Sequence, residues 1–148
     1  ITGVDGVLAA ANGKIRKVRL ITRKPPEALM GAAYFLKKKF PVLRTPTEEK
    51  RVFRGAAIEA IEHFPQNINV AAVLSLAGIG IKKTNVKVVA SPEVTKNIHE
   101  IKIESAAANI STRTENILHP DNPKTSYLAV LAAIATLKGI LEPIKIGT

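Results

Sequence analysis

The sequence predicts a single α+β domain. Segments of strand-like alternation and segments of helix-like apolar character follow one another without the regular strand–helix–strand repeat of a doubly wound sheet. The length of 148 residues suits one domain. The composition, 46% hydrophobic, 23% charged and 4% aromatic, is that of a globular protein. Disorder throughout the chain is therefore excluded.

The first third of the chain predicts a helix, a strand and a weaker helix. Val4 to Ala11 is small and apolar and ends at Asn12-Gly13, which is typical of a short helix closed by glycine. Lys14 to Arg23 alternates apolar and basic residues, which predicts a strand with one basic face. Pro25-Pro26 ends that strand, and Pro26 to Lys39 is expected to form a weaker helix.

The middle of the chain predicts one strand and two helices. Arg51 to Gly55 has the pattern of a short strand, and Ala56 to His63 that of a helix. Ile68 to Ala77 should form the next helix, with Gln66 or Asn67 as its N-cap. Because this helix is almost entirely Ala, Val and Leu, with small residues on every side, we expect it to be buried and in close contact with its neighbours.

The last part of the chain predicts three strands, a loop, a long helix and an edge strand. The strands are expected at Thr84–Ala90, Asn97–Ser105 and Asn109–Ile117, followed by a turn-rich loop at 119–123. Lys124 to Ile140 is apolar on more than one face, so this helix is expected to be central or to lie at a subunit contact. Pro143 to Ile146 is expected to form an edge strand.

Composition excludes several classes of protein. The chain has no cysteine, so disulfides, Cys-ligated zinc, iron–sulfur clusters and thiol nucleophiles are excluded. No uninterrupted apolar run of ~18 residues is present, so no membrane span is expected. The start at Ile1 has neither an initiator Met nor the pattern of a secretory signal. It resembles a cut end, and we expect a cytoplasmic protein.

Positive charge is concentrated at the N-terminal end. Residues 1–54 hold 13 basic and 4 acidic side chains, whereas residues 55–148 hold 9 and 8. A basic field can attract nucleic acid, an anionic surface or an anionic substrate, or it can simply be a solvated face. The few aromatic residues are not interleaved with the basic ones, which argues against a nucleic-acid partner.

The strand at Asn97–Ser105 contains the strongest candidate for catalysis. Alternation puts Glu100, Lys102 and Glu104 on one face with Ile98, and that face is expected to be solvated. His99 falls with Asn97 on the other face, in the row that continues to Ile101 and Ile103. This histidine is either a hydrogen-bonded structural residue or a general acid/base at the mouth of a pocket, with Asn97 orienting substrate or water.

Two helix starts are candidates for binding an anion or an amide. Asn69 follows the expected cap by two residues, so capping does not explain it. Asn122-Pro123 leads into Lys124, Thr125 and Ser126, which we expect to be donors clustered at a helix N-terminus. Each start can equally be purely structural.

Other motifs are weak or missing. Gly78-Ile79-Gly80 stands at a helix end, so it is not a dinucleotide-binding fingerprint. His63, His99 and His119 lack the spacing of metal ligands, and no metal is expected.

Three separated motifs resemble the L-aspartate dehydrogenases. They are residues 64–72 (FPQNINVAA), Asn97 to Ile101 (NIHEI) and Asn122 to Ser126 (NPKTS), in the order and spacing of that family. The resemblance extends to Thr22–Pro26 and to Gly3-Val4-Asp5, so that it covers nearly the whole chain. Several motifs that match together are far more specific than one.

The resemblance implies a fold and a place in a larger enzyme. Members pair an N-terminal Rossmann domain with a catalytic, dimerising domain that is similar to the C-terminal domain of glyceraldehyde-3-phosphate dehydrogenase. That domain has a mixed, largely antiparallel sheet with helices on one face. On this basis residues 1–148 are expected to be the single catalytic and dimerisation domain of a two-domain homodimeric enzyme, the Rossmann domain being absent.

The resemblance also implies the reaction and its residues. The family oxidises L-aspartate to iminoaspartate with NAD or NADP and feeds pyridine nucleotide biosynthesis. By motif, His99 is the catalytic residue and Asn69 contacts the cofactor. Asn97, Asn122, Lys124 and Thr125 are expected near the substrate. An imidazole that titrates near pH 6.5 would suit the proton transfer.

Two other functions stay open at this point. The chain can be a non-catalytic binding or assembly module derived from a dinucleotide-utilising enzyme, or a basic nucleic-acid-binding domain. A strand–G-x-G-x-x-G–helix upstream favours the enzyme, and steep salt dependence of DNA or RNA binding would favour the last.

Overall fold

A computed structural model describes residues 4–30, 32, 34–35, 47–65 and 68–144, the side chains of residues 4, 5 and 122–125 excepted. The helices are α1 (Val4–Ala11), α2 (Ala57–His63), α3 (Asn69–Ala77) and α4 (Tyr127–Leu141), with a 3₁₀ turn at Pro26–Ala28. The strands are β1 (Ile15–Lys24), β2 (Lys50–Ala56), β3 (Asn85–Ala90), β4 (Asn97–Ser105), β5 (Asn109–Asn116), β6 (Leu118–His119) and β7 (Asn122–Ser126). The α+β class predicted from the sequence is confirmed.

Five strands form one mixed sheet in the order β2-β3-β1-β4-β5. Strands β1 and β3 are parallel, and each of the other neighbours is antiparallel. The parallel pairing puts the carboxyl ends of β1 and β3 at one edge of the sheet, and the antiparallel β4 begins at that same edge. Lys24, Ala90 and Asn97 therefore meet at one end of the sheet.

The core lies between one face of this sheet and helices α1, α2 and α3. Paired residues of neighbouring strands share a face, so Leu20 lies beside both Val86 and Ile101. Leu74 of α3 and Phe64, just after α2, pack in the same cluster and are fully buried. Full burial of such a side chain contributes roughly 1.5–3 kcal/mol, so this layer holds the helices on the sheet. We call this side of the sheet the core face.

The opposite side of the sheet, the outer face, carries charge. Lys17, Arg19 and Arg23 of β1 lie on it, which confirms the predicted basic face. The expectation that Glu100 is solvated is wrong, because its carboxylate accepts from Arg23 Nη1 at 2.7 Å and from Arg113 Nη1 at 2.8 Å. Its side chain is 16% exposed, since two guanidinium groups close over it.

Helix α3 is buried on one side only. Ala71, Leu74 and Ser75 face the core, but Leu76 is 84% exposed. The predicted burial therefore holds only for the side that faces the core, because small apolar residues permit close contact without requiring it. Ile68 holds the N-cap position, and the expected caps Gln66 and Asn67 lie outside the described residues.

The last helix begins later than predicted and is not central. Residues 122–126 form strand β7, which pairs with β6 in a hairpin, and α4 starts at Tyr127. Backbone pairing with β6 competes with helix formation here, and local sequence does not reveal such pairing. None of the described residues of α4 is buried in this chain.

The helix expected after β1 and the edge strand expected after α4 are described only in part. The helix expected at Pro26 to Lys39 appears as the 3₁₀ turn and as helical residues Tyr34 and Phe35, and most of the rest lies outside the described residues. Pro143 and Ile144 form a bend rather than the expected edge strand, and residues 145–146 lie outside the description.

Candidate active site

His99 lies on the core face of β4, directly opposite Thr22 of β1. The two are paired in the sheet, and Thr22 Oγ1 lies 3.1 Å from His99 Nδ1. Thr22 is 1% exposed, whereas His99 is only half-buried. The ring is thus fixed at Nδ1 by a buried hydroxyl, while part of the side chain remains accessible. The face predicted for His99 by alternation is confirmed.

Lys24 follows Thr22 on the same face of β1. It ends the strand, pairs with Ala90 of β3, and is 7% exposed. Its backbone is fixed, because Ser91 N donates to Lys24 O at 2.9 Å. Burial lowers the pKa of the Lys24 ammonium from 10.5 to about 8, so it is still mostly charged at neutral pH.

Burial and the charge of Lys24, in that order, lower the pKa of His99 from 6.5 to about 4. The expectation that the imidazole titrates near pH 6.5 is therefore wrong, because the environment disfavours its protonated form. At neutral pH the ring is uncharged, which is the form that accepts a proton. Acceptance at Nε2 requires the hydrogen to sit on Nδ1, from which it donates to Thr22 Oγ1.

Asn97 stands two residues before His99 and is half-buried at the same end of the sheet. It pairs with Asn116 of β5. Ser126 Oγ donates to Asn116 Oδ1 at 3.0 Å, which fixes the end of β7 beside β5. The structure therefore brings Asn97, His99 and the junction between β7 and α4 to one end of the domain.

Asn122, Lys124 and Thr125 lie in β7 and not at a helix N-terminus. The expected cluster of donors at the start of a helix is therefore wrong in its geometry. Tyr127 N, the first N–H of α4, donates to Ile117 O at 2.8 Å. The N–H of Tyr127 is therefore satisfied within the fold and is not offered to an anion.

Asn69 is the first residue of α3, and its side chain is exposed. No hydrogen bond among the described residues joins it to His99, Thr22 or Lys24. An exposed carboxamide at a helix start offers one acceptor and two donors to a ligand.

The other histidines serve packing and turns. His63 lies with its ring centroid 5.0 Å from that of Tyr34 and 5.9 Å from that of Phe53. His119 Nδ1 accepts from Asp121 N at 3.2 Å in the hairpin turn. Among the described residues, no three His, Asp or Glu side chains are grouped to hold a metal. In the same part of the chain, no helix has the length and apolar character needed to cross a membrane.

Thr22 and Lys24 are candidate site residues that the sequence pattern did not single out. The alternation that singled out Asn97 and His99 also applies to β1, where Thr22 and Lys24 continue the apolar row of Val18 and Leu20. A lysine in that row is the signal that could have found them.

Comparison with known proteins gives a consistent match. A family model described as aspartate dehydrogenase, C-terminal, matches residues 5–140. The L-aspartate dehydrogenase of Methanosarcina acetivorans is 50% identical over 149 aligned positions, covering 100% of this chain and 54% of that protein. That of Bradyrhizobium diazoefficiens is 40% identical, covering 100% of this chain and 52% of that protein.

A solved structure matches as well. The crystal structure of aspartate dehydrogenase from Thermotoga maritima superposes with a TM-score of 0.78 at 32% identity. The match covers 99% of this chain and 53% of that one. The chain thus spans about half the length of the relatives it matches.

Proposed function

The chain belongs to the aspartate dehydrogenase family, as its C-terminal domain, and we propose that it is the catalytic and dimerising domain of a two-domain L-aspartate dehydrogenase. The whole enzyme would oxidise L-aspartate to iminoaspartate with NAD or NADP and so supply pyridine nucleotide biosynthesis. The observation that carries the proposal is the half-buried imidazole of His99, fixed at Nδ1 by Thr22 and kept uncharged at neutral pH.

The chemical task of this domain is proton transfer. Oxidation of an amine removes a hydride from Cα and a proton from nitrogen. The nicotinamide cofactor, when bound, accepts the hydride. The neutral imidazole of His99 takes the proton of the substrate ammonium at Nε2, and the 3.1 Å contact with Thr22 holds the ring in the orientation this requires. Thr22 is thus a positioning residue.

The remaining candidate residues are proposed to bind the cofactor or the substrate. The exposed carboxamide of Asn69 at the start of α3 complements the carboxamide of a nicotinamide ring in hydrogen bonding, so the residues present fit that cofactor. Asn97 lies on the same face as His99 and is proposed to orient the substrate. Asn122, Lys124 and Thr125 of β7 are proposed to lie near the substrate, because the last residue of that strand is hydrogen-bonded to Asn116.

Helix α4 supports the expected homodimer. Its large apolar side chains are exposed in the single chain, from Leu131 at 45% to Leu137 at 65% and Ile140 at 69%. An exposed apolar surface of this kind is typical of an interaction site. We infer that a second copy covers it.

The dimer is tested by light scattering on the full-length protein. The mass is expected to be twice that of one chain. Changing Leu131 and Ile134 together to Glu should produce a monomer, because charges would have to be buried without partners. A matched control is Lys82→Glu and Lys83→Glu, both on the exposed turn after α3. A double Leu131/Ile134 variant that stays dimeric would assign the interface to another surface.

The activity is tested with the full-length protein that contains this chain. With L-aspartate and NAD or NADP we expect absorbance to rise at 340 nm as the cofactor is reduced. Because the site is proposed to bind both carboxylates of L-aspartate, the cofactor should be reduced far more slowly with L-alanine, which has only one. A folded protein that binds cofactor and reduces neither form with L-aspartate would refute the proposal in favour of the non-catalytic module.

A further inference from the structure

Lys24 is buried on the core face of the sheet, close to His99, the proposed catalytic residue, and to its partner Thr22. Only 7% of its surface is exposed, and it stands two residues beyond Thr22, whose hydroxyl contacts His99. Continuing the β1–β4 register by one residue beyond the Arg23–Ile98 pair places Lys24 beside Asn97. The lysine, the asparagine and the histidine therefore occupy neighbouring positions on one face at one end of the sheet.

This placement differs from that of the four other basic residues of β1, Arg16 among them, none of which is buried. Lys17, Arg19 and Arg23 lie on the outer face, where Lys17 pairs with Glu104 and Arg23 pairs with Glu49 and Glu100. Lys24 instead continues the row of Val18, Leu20 and Thr22, which is buried against the helices. A purely structural position in this row would be occupied at less cost by an apolar side chain, since a buried ammonium loses its hydration.

Lys24 and His99 interact electrostatically, because the charge of Lys24 contributes to the lowered pKa of His99. Lys24 remains mostly charged at neutral pH, although burial lowers its pKa to about 8, and its charge helps to lower the pKa of His99. An anion that enters between them would offset the desolvated charge of the ammonium. It would also weaken the repulsion that opposes protonation of the imidazole, which is the change that proton transfer needs.

We propose that the Lys24 ammonium binds one carboxylate of the substrate L-aspartate and holds the substrate amine against His99. The inference rests on the proposed function and names a binding residue for it. An ammonium has three N–H donors, so it can serve a carboxylate as well as a neighbour within the fold. A charge-assisted hydrogen bond in a desolvated site is short and strong, and it selects a carboxylate over a neutral group.

The test compares Lys24→Met with the wild type in the full-length enzyme. Methionine keeps most of the length of the side chain and removes the charge. The KM for L-aspartate is expected to rise about 10- to 100-fold, as loss of a charge-assisted hydrogen bond implies. The kcat at saturating L-aspartate should change by only a few-fold, and the KM for the nicotinamide cofactor should not change. Lys87→Met, which removes the same charge from the outer face of β3, should leave all three constants unchanged.

A measurement of thermal unfolding separates binding from packing. Lys24→Met should remain folded at the temperature of the assay, so that a rise in KM reports the loss of the charge and not unfolding. An unchanged KM, or a parallel loss of kcat and Tm, would overturn the assignment of Lys24 while leaving the proposed function standing. If the wild type itself fails to oxidise L-aspartate, the proposed function fails, and the role of Lys24 fails with it.

Discussion

Replacing His99 by alanine in the full-length protein is expected to lower kcat for L-aspartate-dependent cofactor reduction by about 10²- to 10⁴-fold, the usual contribution of a positioned general acid/base. The imidazole is uncharged at neutral pH and is held at Nδ1 by Thr22, so its loss removes the proton acceptor and its orientation together. The KM for the cofactor should change little, because the proposed cofactor contact, Asn69, lies on α3.

The matched control for this variant is His63→Ala. His63 lies at the end of α2 beside the rings of Tyr34 and Phe53, so its loss should affect stability and not turnover. The rates are read at 340 nm, with the Tm of each variant as the check on folding. Turnover of His99→Ala within a few-fold of the wild type would remove His99 from the mechanism. Equal losses in both histidine variants would point to folding and not to chemistry.

Acidification is expected to destabilise this domain through His99. Folding lowers the pKa of the imidazole from 6.5 to about 4, so the unfolded chain binds a proton more readily than the folded one between these values. The contribution of His99 to the free energy of unfolding is therefore fully present above pH 6.5 and is lost as the pH falls from 6.5 through 4. A shift of that size corresponds to about 3 kcal/mol in the free energy of unfolding.

The measurement compares the wild type with His99→Gln, which cannot titrate, in denaturant at pH 6.5 and pH 4. Other acidic and basic groups act equally in both proteins, so the difference between them isolates His99. The variant should lose about 3 kcal/mol less than the wild type over this interval. An NMR titration of the ring gives an independent value. A His99 signal that titrates near pH 6.5 would contradict the environment described for the site.

The lowered pKa of Lys24 predicts that stability also changes with pH in the alkaline range. Folding lowers its pKa from 10.5 to about 8, so the unfolded state binds more protons over that interval and stability should increase as the pH rises through it. The same group takes part in the first effect, since its charge contributes to the lowered pKa of His99. Lys24→Met is therefore expected to raise the pKa of His99 and to reduce the sensitivity to acid.

The elements with strict periodicity could be predicted from local sequence. Apolar residues that alternate along β1 and β4 predict strands, and they predict which face carries His99 and Asn97, because successive side chains in a strand point to opposite faces. The three separated motifs indicated the family before any coordinates, and the comparisons confirm it. Local periodicity and motif spacing are properties of the chain alone, so they needed no tertiary contact.

The residues around the imidazole could not be predicted in this way, because contacts between distant parts of the chain bring them together. Thr22 and Lys24 are 77 and 75 positions from His99 in sequence, and only the antiparallel pairing of β1 with β4 joins them. The lowered pKa of His99 follows from that pairing and from burial, neither of which a local pattern encodes. Residues 122–126 illustrate the same limit, because pairing with β6 turned a predicted helix start into a strand. Long-range pairing and desolvation decide such features, and both depend on parts of the chain that are distant in sequence.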